Sequence, residues 1–373
     1  MYRRSLKSNW SLVILFLLAI VLFVVAQTSY KNVKADNHDL KVEAALLTQS
    51  YMDTLQAEIT RRGITIDPID DPFGTGLIGT RLSSITTDRG LLSDKQAALN
   101  PNIAAIFVDE FTKLKLEEGD YIAVGLTGSN PAVNLALYAA ITAMKLNPRI
   151  IVSLSSASYG ANREELTWLD MEAILKRSGL LSFGASYAGY GGKEDLGIGL
   201  TDNGIQSLTE AMRRTNTPQL IGSDLDDNVQ LRYSAYHDML PEGSRYRAFV
   251  NVGRGLVNVG SEPNANLIPE GINRKLAEKE FEKEGVMMLM AQKNVPILHF
   301  SRVIRWVKQN DLATNFEKLP VPGEGKIFGS RIHNVLIASI CLALLTLAVI
   351  IVIIYDRHDR RFMANIVDPD EEL

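Results

Sequence analysis

Three short stretches bring hydrogen-bonding or charged side chains together where a ligand could be held. In GLTGSNPAVNLALYAAI (residues 125–141), Thr127, Gly128, Ser129 and Asn130 fall between an apolar run and a helical pattern. In SLSSASYG, a second apolar run ends in Ser155, Ser156, Ala157, Ser158 and Tyr159. In NVGRGLVNVG, Arg254 follows a third. Asn130 before Pro131 suits a helix start, because Asn favours the cap and the first helical residue needs no N–H. The free N–H groups of such an end attract phosphate or carboxylate. A guanidinium at Arg254 suits a carboxylate through a bidentate contact. Two plainer readings compete: an Asn cap with no ligand, and an Arg paired with a nearby acid.

Several chemistries are excluded or incomplete. GLTGSN lacks the Lys-Ser/Thr pair of a P-loop and the glycine spacing of a dinucleotide fingerprint. The single cysteine, Cys341, lies in an apolar run near the C-terminus, so the rest of the chain has neither a thiol nucleophile nor a disulfide. A hydrolase needs a nucleophile, a base and an orienting acid. Candidate bases in the region from about residue 30 to 330 are His38, His237 in SAYHDML and His299 in ILHF, and no complete set assembles around them. GASYAG has one residue too many for a nucleophile elbow, so SFGASYAGYGG reads as a flexible or ligand-covering loop. The acids of DPIDDPFGTGLIG match no defined metal loop, and Asp224, Asp226 and Asp227 read as helix-start acids. No metal and no cofactor is expected, and catalytic residues stay unassigned.

The elements that must position these residues follow from periodicity. YIAVGL is a short apolar run suited to a buried strand, PAVNLALYAAITAMKL is helical, and RIIVSL is strand-like again. That spacing makes a right-handed βαβ unit. TWLD resembles a capping box opening a helix that ends near Gly179. Further strands are expected at residues 248–252 and 296–300, with the helical run GVMMLMAQKN between them. The alternation predicts an α/β fold: a mostly parallel sheet, Rossmann-like, with helices on both faces. Ligands of such sheets bind beyond the C-terminal strand ends, so the loops at 127–130 and 155–159 would share a rim if their strands are neighbours. Upstream, Leu40, Ala44, Leu47, Tyr51, Leu55 and Ile59 share one helical face, closed by Gly63. That helix is either packed on the domain or a stalk; packing is the expectation. Residues 67–79 form a loop, and a short helix follows at about 102–116.

The chain has 373 residues, 46% of them hydrophobic, and a net charge of −4, which suits a globular protein rather than a disordered one. Apolar content peaks at both ends. SLVILFLLAIVLFVVA (residues 11–26) follows Arg3, Arg4 and Lys7, and VLIASICLALLTLAVIIVII (residues 335–354) precedes Arg357, Arg360 and Arg361. The second run is long enough for a hydrocarbon core, which takes roughly 20 helical residues. The first is either a signal peptide cleaved after Ala26 or an uncleaved anchor; no long polar linker follows, which favours the anchor. Positive charges on the outer side of each run place both termini in the cytoplasm. The expected order is a cytoplasmic N-terminus (1–10), a transmembrane signal anchor (11–29) and a membrane-proximal helical region (30–119). An extracytoplasmic α/β domain (120–330), a transmembrane helix (331–355) and a cytoplasmic tail (356–373) complete it. A domain outside the cytoplasmic membrane meets little ATP or NAD, which argues against nucleotide-driven chemistry and against nucleic-acid partners.

Four motifs carry a resemblance. GLTGSNPAVNLA, SLSSASYGAN, LTWLDMEAILKRSG and GYGGKEDLG together resemble the poly-γ-glutamate system proteins, most strongly over residues 125–197. The resemblance implies a bacterial envelope protein of capsule or exopolymer biosynthesis and export, working beside the synthase and export membrane components. It supplies no catalytic residues. It does name an anionic polymer with one α-carboxylate per unit, for which a helix start at Asn130 and a guanidinium at Arg254 are chemically suited. Two alternatives stand beside an accessory protein: an envelope hydrolase or transferase using Ser129 or Ser156, and a purely structural scaffold for the synthase.

Overall fold

The computed structural model describes residues 9–276, 281 and 283–364. It divides into two compact units, one of Asp36–Phe328 and one made from the two ends of the chain.

The large unit is α/β and is built on a mixed six-stranded sheet. Its strands are β1 (Tyr121–Thr127), β2 (Asn147–Ser153), β3 (Tyr187–Gly189), β4 (Tyr246–Val252), β5 (Gly271–Asn273) and β6 (Ile297–Phe300). Their spatial order is β5-β6-β4-β1-β2-β3. The pairs β6–β4, β4–β1, β1–β2 and β2–β3 are parallel, and the edge pair β5–β6 is antiparallel. From β1 the chain steps outward through β2 to β3, then returns to place β4 on the other side of β1. The direction of winding therefore reverses between β1 and β4, which parts the loops leaving their C-terminal ends.

The central strands are continuous apolar runs because both faces are covered. Val124, Ile150 and Val250 face a cluster that includes Leu55, Phe107 and Leu135. Their neighbours Ala123, Ile151 and Phe249 face Tyr236, Met287 and Met290. The helices over the first face include α1 (His38–Arg61), α2 (Ile103–Lys113), α3 (Pro131–Ala143) and α4 (Trp168–Arg177). Those over the second include α5 (Leu225–Asp238) and α6 (Val286–Gln292). Thus α1 is a packed helix: Ala44, Tyr51, Leu55 and Ile59 are fully buried. Residues 36–119 belong to the same compact unit as the sheet. The capping box of α4 forms, with the Asp170 carboxylate accepting from Thr167 N–H at 2.7 Å. Asp224 caps α5 by accepting from Asp227 N–H at 2.8 Å. In the 67–79 loop, Asp71 accepts from Thr75 and Gly76 N–H, which is turn chemistry.

One expectation is corrected. SFGASYAGYGG is not a free loop, since Tyr187–Gly189 is the parallel strand β3 beside β2. The sequence conceals it because close approach, not side-chain bulk, selects its glycines. A Cβ on Gly189 would lie 2.6 Å from Asp195 Oδ2, and one on Gly191, at φ +81°, 2.4 Å from Ser155 Oγ.

The smaller unit holds the helices Asn9–Thr28 and Val335–Ala364 and an antiparallel pair, Tyr30–Lys34 with Gly329–His333. Residues Trp10–Thr28 and Val335–Ile354 are long and apolar enough to cross a membrane. Thr346 Oγ1 donates to Leu342 O at 2.8 Å, so its hydroxyl is satisfied within the helix. Tyr30 packs against His333 with ring centroids 4.6 Å apart and the planes tilted by 31°, and Arg331 lies over the Tyr30 ring. Arg3, Arg4 and Lys7 lie outside the described residues.

Candidate functional site

The three stretches meet at the C-terminal ends of β1, β2 and β4, the first two joined edge to edge. Gly128 N–H donates to Ser153 O at 3.0 Å, and Gly128 O accepts from Ala161 N–H at 2.8 Å. Ala157 N–H donates to Ser129 Oγ at 3.0 Å. The loop after β4 closes over the same corner: a Cβ on Gly253 would stand 2.7 Å from Thr127 Oγ1. Arg254 is carried on this loop and is exposed, with Nη2 donating to Asn266 Oδ1 at 3.3 Å. The structure therefore gathers all eight sequence-derived positions at one corner of the sheet.

Most of their polar groups turn inward. Thr127, Gly128, Asn130, Ser155, Ser156 and Ser158 are buried, Ser129 is half-buried, and only Arg254 is open to solvent. Thr127 Oγ1 accepts from Ser129 N–H, Ser155 Oγ pairs with Thr87 Oγ1 at 3.1 Å, and Ser156 Oγ donates to Ala157 O at 2.8 Å. Ser158 N–H donates to Asp88 O at 3.0 Å. The strand Thr86–Asp88 pairs with Ser156–Ala157 and holds this second loop in place. Asn130 sits at the cap of α3 with Pro131 following, but its side chain makes no capping bond. Its Oδ1 accepts instead from Lys95 Nζ at 2.6 Å, and the same ammonium donates to Ser129 O at 2.5 Å. Lys95 is buried, and desolvation pulls its pKa down to about 8 against the attraction of Asp94 and Asp88.

Two further buried networks support the corner. Ser153 Oγ, at the end of β2, donates to Asp195 Oδ1 at 2.7 Å and accepts from Arg232 Nη2 at 3.0 Å. Arg232 also forms an ion pair with Asp195, and both side chains are almost wholly buried. Burial raises the Asp195 pKa, opposed by the Arg232 charge. Beside β4, Asn251 Oδ1 accepts from Asn258, while Asn251 Nδ2 donates to Gly253 O and to His299 Nδ1 at 3.0 Å. The amide can only donate through nitrogen, so Nδ1 of His299 accepts and the neutral ring carries its proton on Nε2. Burial lowers the His299 pKa, although the Glu270 charge opposes the shift. A fully buried His299, on a strand paired on both sides, is a structural group of the sheet rather than a solvent-facing base.

Chemically, the corner offers charge and hydrogen bonds rather than an assembled nucleophile. Among the described residues, neither Ser129 Oγ nor Ser156 Oγ bonds to a basic group. Sequence reasoning missed Lys95, Asp195 and Arg232. Their partners lie 35, 42 and 37 residues away along the chain, and no local pattern links them. A cavity of about 760 Å³ lies elsewhere, at the N-terminal ends of the strands. Comparison of the chain with known protein families, curated proteins and solved structures gives no match.

Proposed function

We propose that the chain is an accessory membrane protein of poly-γ-glutamate biosynthesis and export, held by two spans with both termini in the cytoplasm. Its α/β domain, read as a mostly parallel, Rossmann-like sheet, stands outside the cytoplasmic membrane. There it contacts the anionic polymer beside the synthase and export components. The observation that carries the polymer contact is the exposed Arg254 at the winding reversal, on a loop packed against Thr127. Sheets of this kind take their ligands at that crevice, and a guanidinium there matches a carboxylate. Half-buried Ser129 is the neighbouring group best able to add a hydrogen bond. The two apolar terminal helices support a role at the membrane, and the four resembling motifs support the polymer.

The test uses the full-length protein in neutral-lipid nanodiscs and long-chain poly-γ-glutamate. Replacing Ser129 and Arg254 together by alanine should weaken binding by about tenfold, as loss of one charge-assisted contact and one neutral hydrogen bond would. An unchanged affinity in a folded double variant sinks the rim contact.

A further inference from the structure

The cavity at the N-terminal ends of the strands has a composition that the corner described above does not explain. Its wall runs from the end of α2 (Leu114, Lys115) across α5 (Tyr233, His237) and the start of β4 to the turn before β6. Five cations among the described residues line it: Lys115, Arg245, Arg247, Arg274 and Lys293. No Asp or Glu among the described residues lines it. Among the described residues, Asp120 is the acid paired to them, 3.6 Å from Arg247 Nε. Arg274 Nη2 donates to Lys113 O at 2.7 Å, which fixes the guanidinium in place without neutralising it. Of the five cations, all except Arg247 are exposed. In a chain whose net charge is −4, five positive groups around one concavity repel each other and raise the local potential for an anion.

The floor between the charges is apolar. Leu114, Tyr246 and Met290 are buried there, and Tyr233, Leu240 and Val295 are half-buried. Five cations lining a cavity of about 760 Å³ are more than a single small anion can contact at hydrogen-bond distance. A chain with several acidic groups separated by methylene segments can, laying methylenes on the floor and charges on the rim.

We propose that this cavity binds a stretch of an oligo-anion whose acidic groups are separated by short apolar segments. The site stands on charge and shape; that its ligand is a polycarboxylate rests on the function proposed above. Arginine forks accept carboxylate or phosphate alike, so the two sources are separated by probe.

Full-length protein in neutral-lipid nanodiscs is titrated with a short γ-linked glutamate oligomer and, separately, with tripolyphosphate. The oligomer should bind and weaken at least about fivefold as salt rises from about 50 mM to about 300 mM. Arg245→Ala with Lys293→Ala, two exposed positions, should weaken it at least about tenfold. Arg274→Lys should weaken it by less, because the charge stays and the fork is lost. Equal affinity of wild type and the double variant overturns the site, as does binding to anionic-lipid vesicles but to neither soluble probe. Binding of tripolyphosphate alone, lost in the same double variant, upholds the anion site and overturns the polycarboxylate ligand. Loss of long-polymer binding in the Ser129/Arg254 variant, with none in the Arg245/Lys293 variant, overturns the cavity and leaves the rim contact standing.

Discussion

Lys95 shows what decides behaviour at the scale of a residue. Its side chain is buried, and its ammonium bonds to Ser129 O and Asn130 Oδ1. Its folded pKa of about 8 lies below the ordinary lysine value. Between those two values the unfolded chain binds more protons than the folded one, so this group makes stability rise with pH there. Below about pH 8 both states are protonated and its contribution is flat. Denaturant unfolding of the full chain from about pH 7 to about pH 10 should show this rise, and Lys95→Met should remove it. A rise of the same size in the variant would mean the lysine is not its source. The residues that mark strand ends, Thr127 to Asn130 and Ser155 to Ser158, were legible because an apolar run stopping at small polar residues is a local pattern. The groups that hold them, Lys95 with Asn130 and Arg232 with Asp195, were not. Each pair is made by tertiary packing, which short-range periodicity does not encode.

Among elements, long periodic ones were readable and short ones were not. The first βαβ unit, α1, α4 with its capping box, and α5 with its acidic start all follow from spacing and caps. The strands β3 and β5 span three residues each and escaped reading, since neither carries a β-branched run. The edge strand β5 is also the antiparallel one, which makes the sheet mixed. The open question of α1, packed helix or stalk, is answered by burial, and its energetics can be measured. Leu55 is fully buried in the cluster shared with the sheet. Leu55→Ala should destabilise the Asp36–Phe328 unit by about 2–5 kcal/mol, through lost apolar burial and the cavity left behind. Chemical denaturation followed through the domain's tryptophans reads this directly. An unaltered midpoint would return α1 to a stalk.

For the whole molecule, sequence and structure agree on an α/β unit and two terminal apolar helices long enough for a bilayer. Within the end unit, the Tyr30–Lys34 and Gly329–His333 strands pair antiparallel. Sidedness follows from the terminal arginines and lysines through the positive-inside tendency, and the polymer follows from the resemblance; both belong to the proposed function. The most direct test is made in cells that carry the protein and make poly-γ-glutamate. The polymer outside the cell is measured after the chain is deleted, and again after wild type is restored. The expected result is a severalfold fall on deletion and recovery with wild type. Unchanged extracellular polymer on deletion would contradict the proposed function.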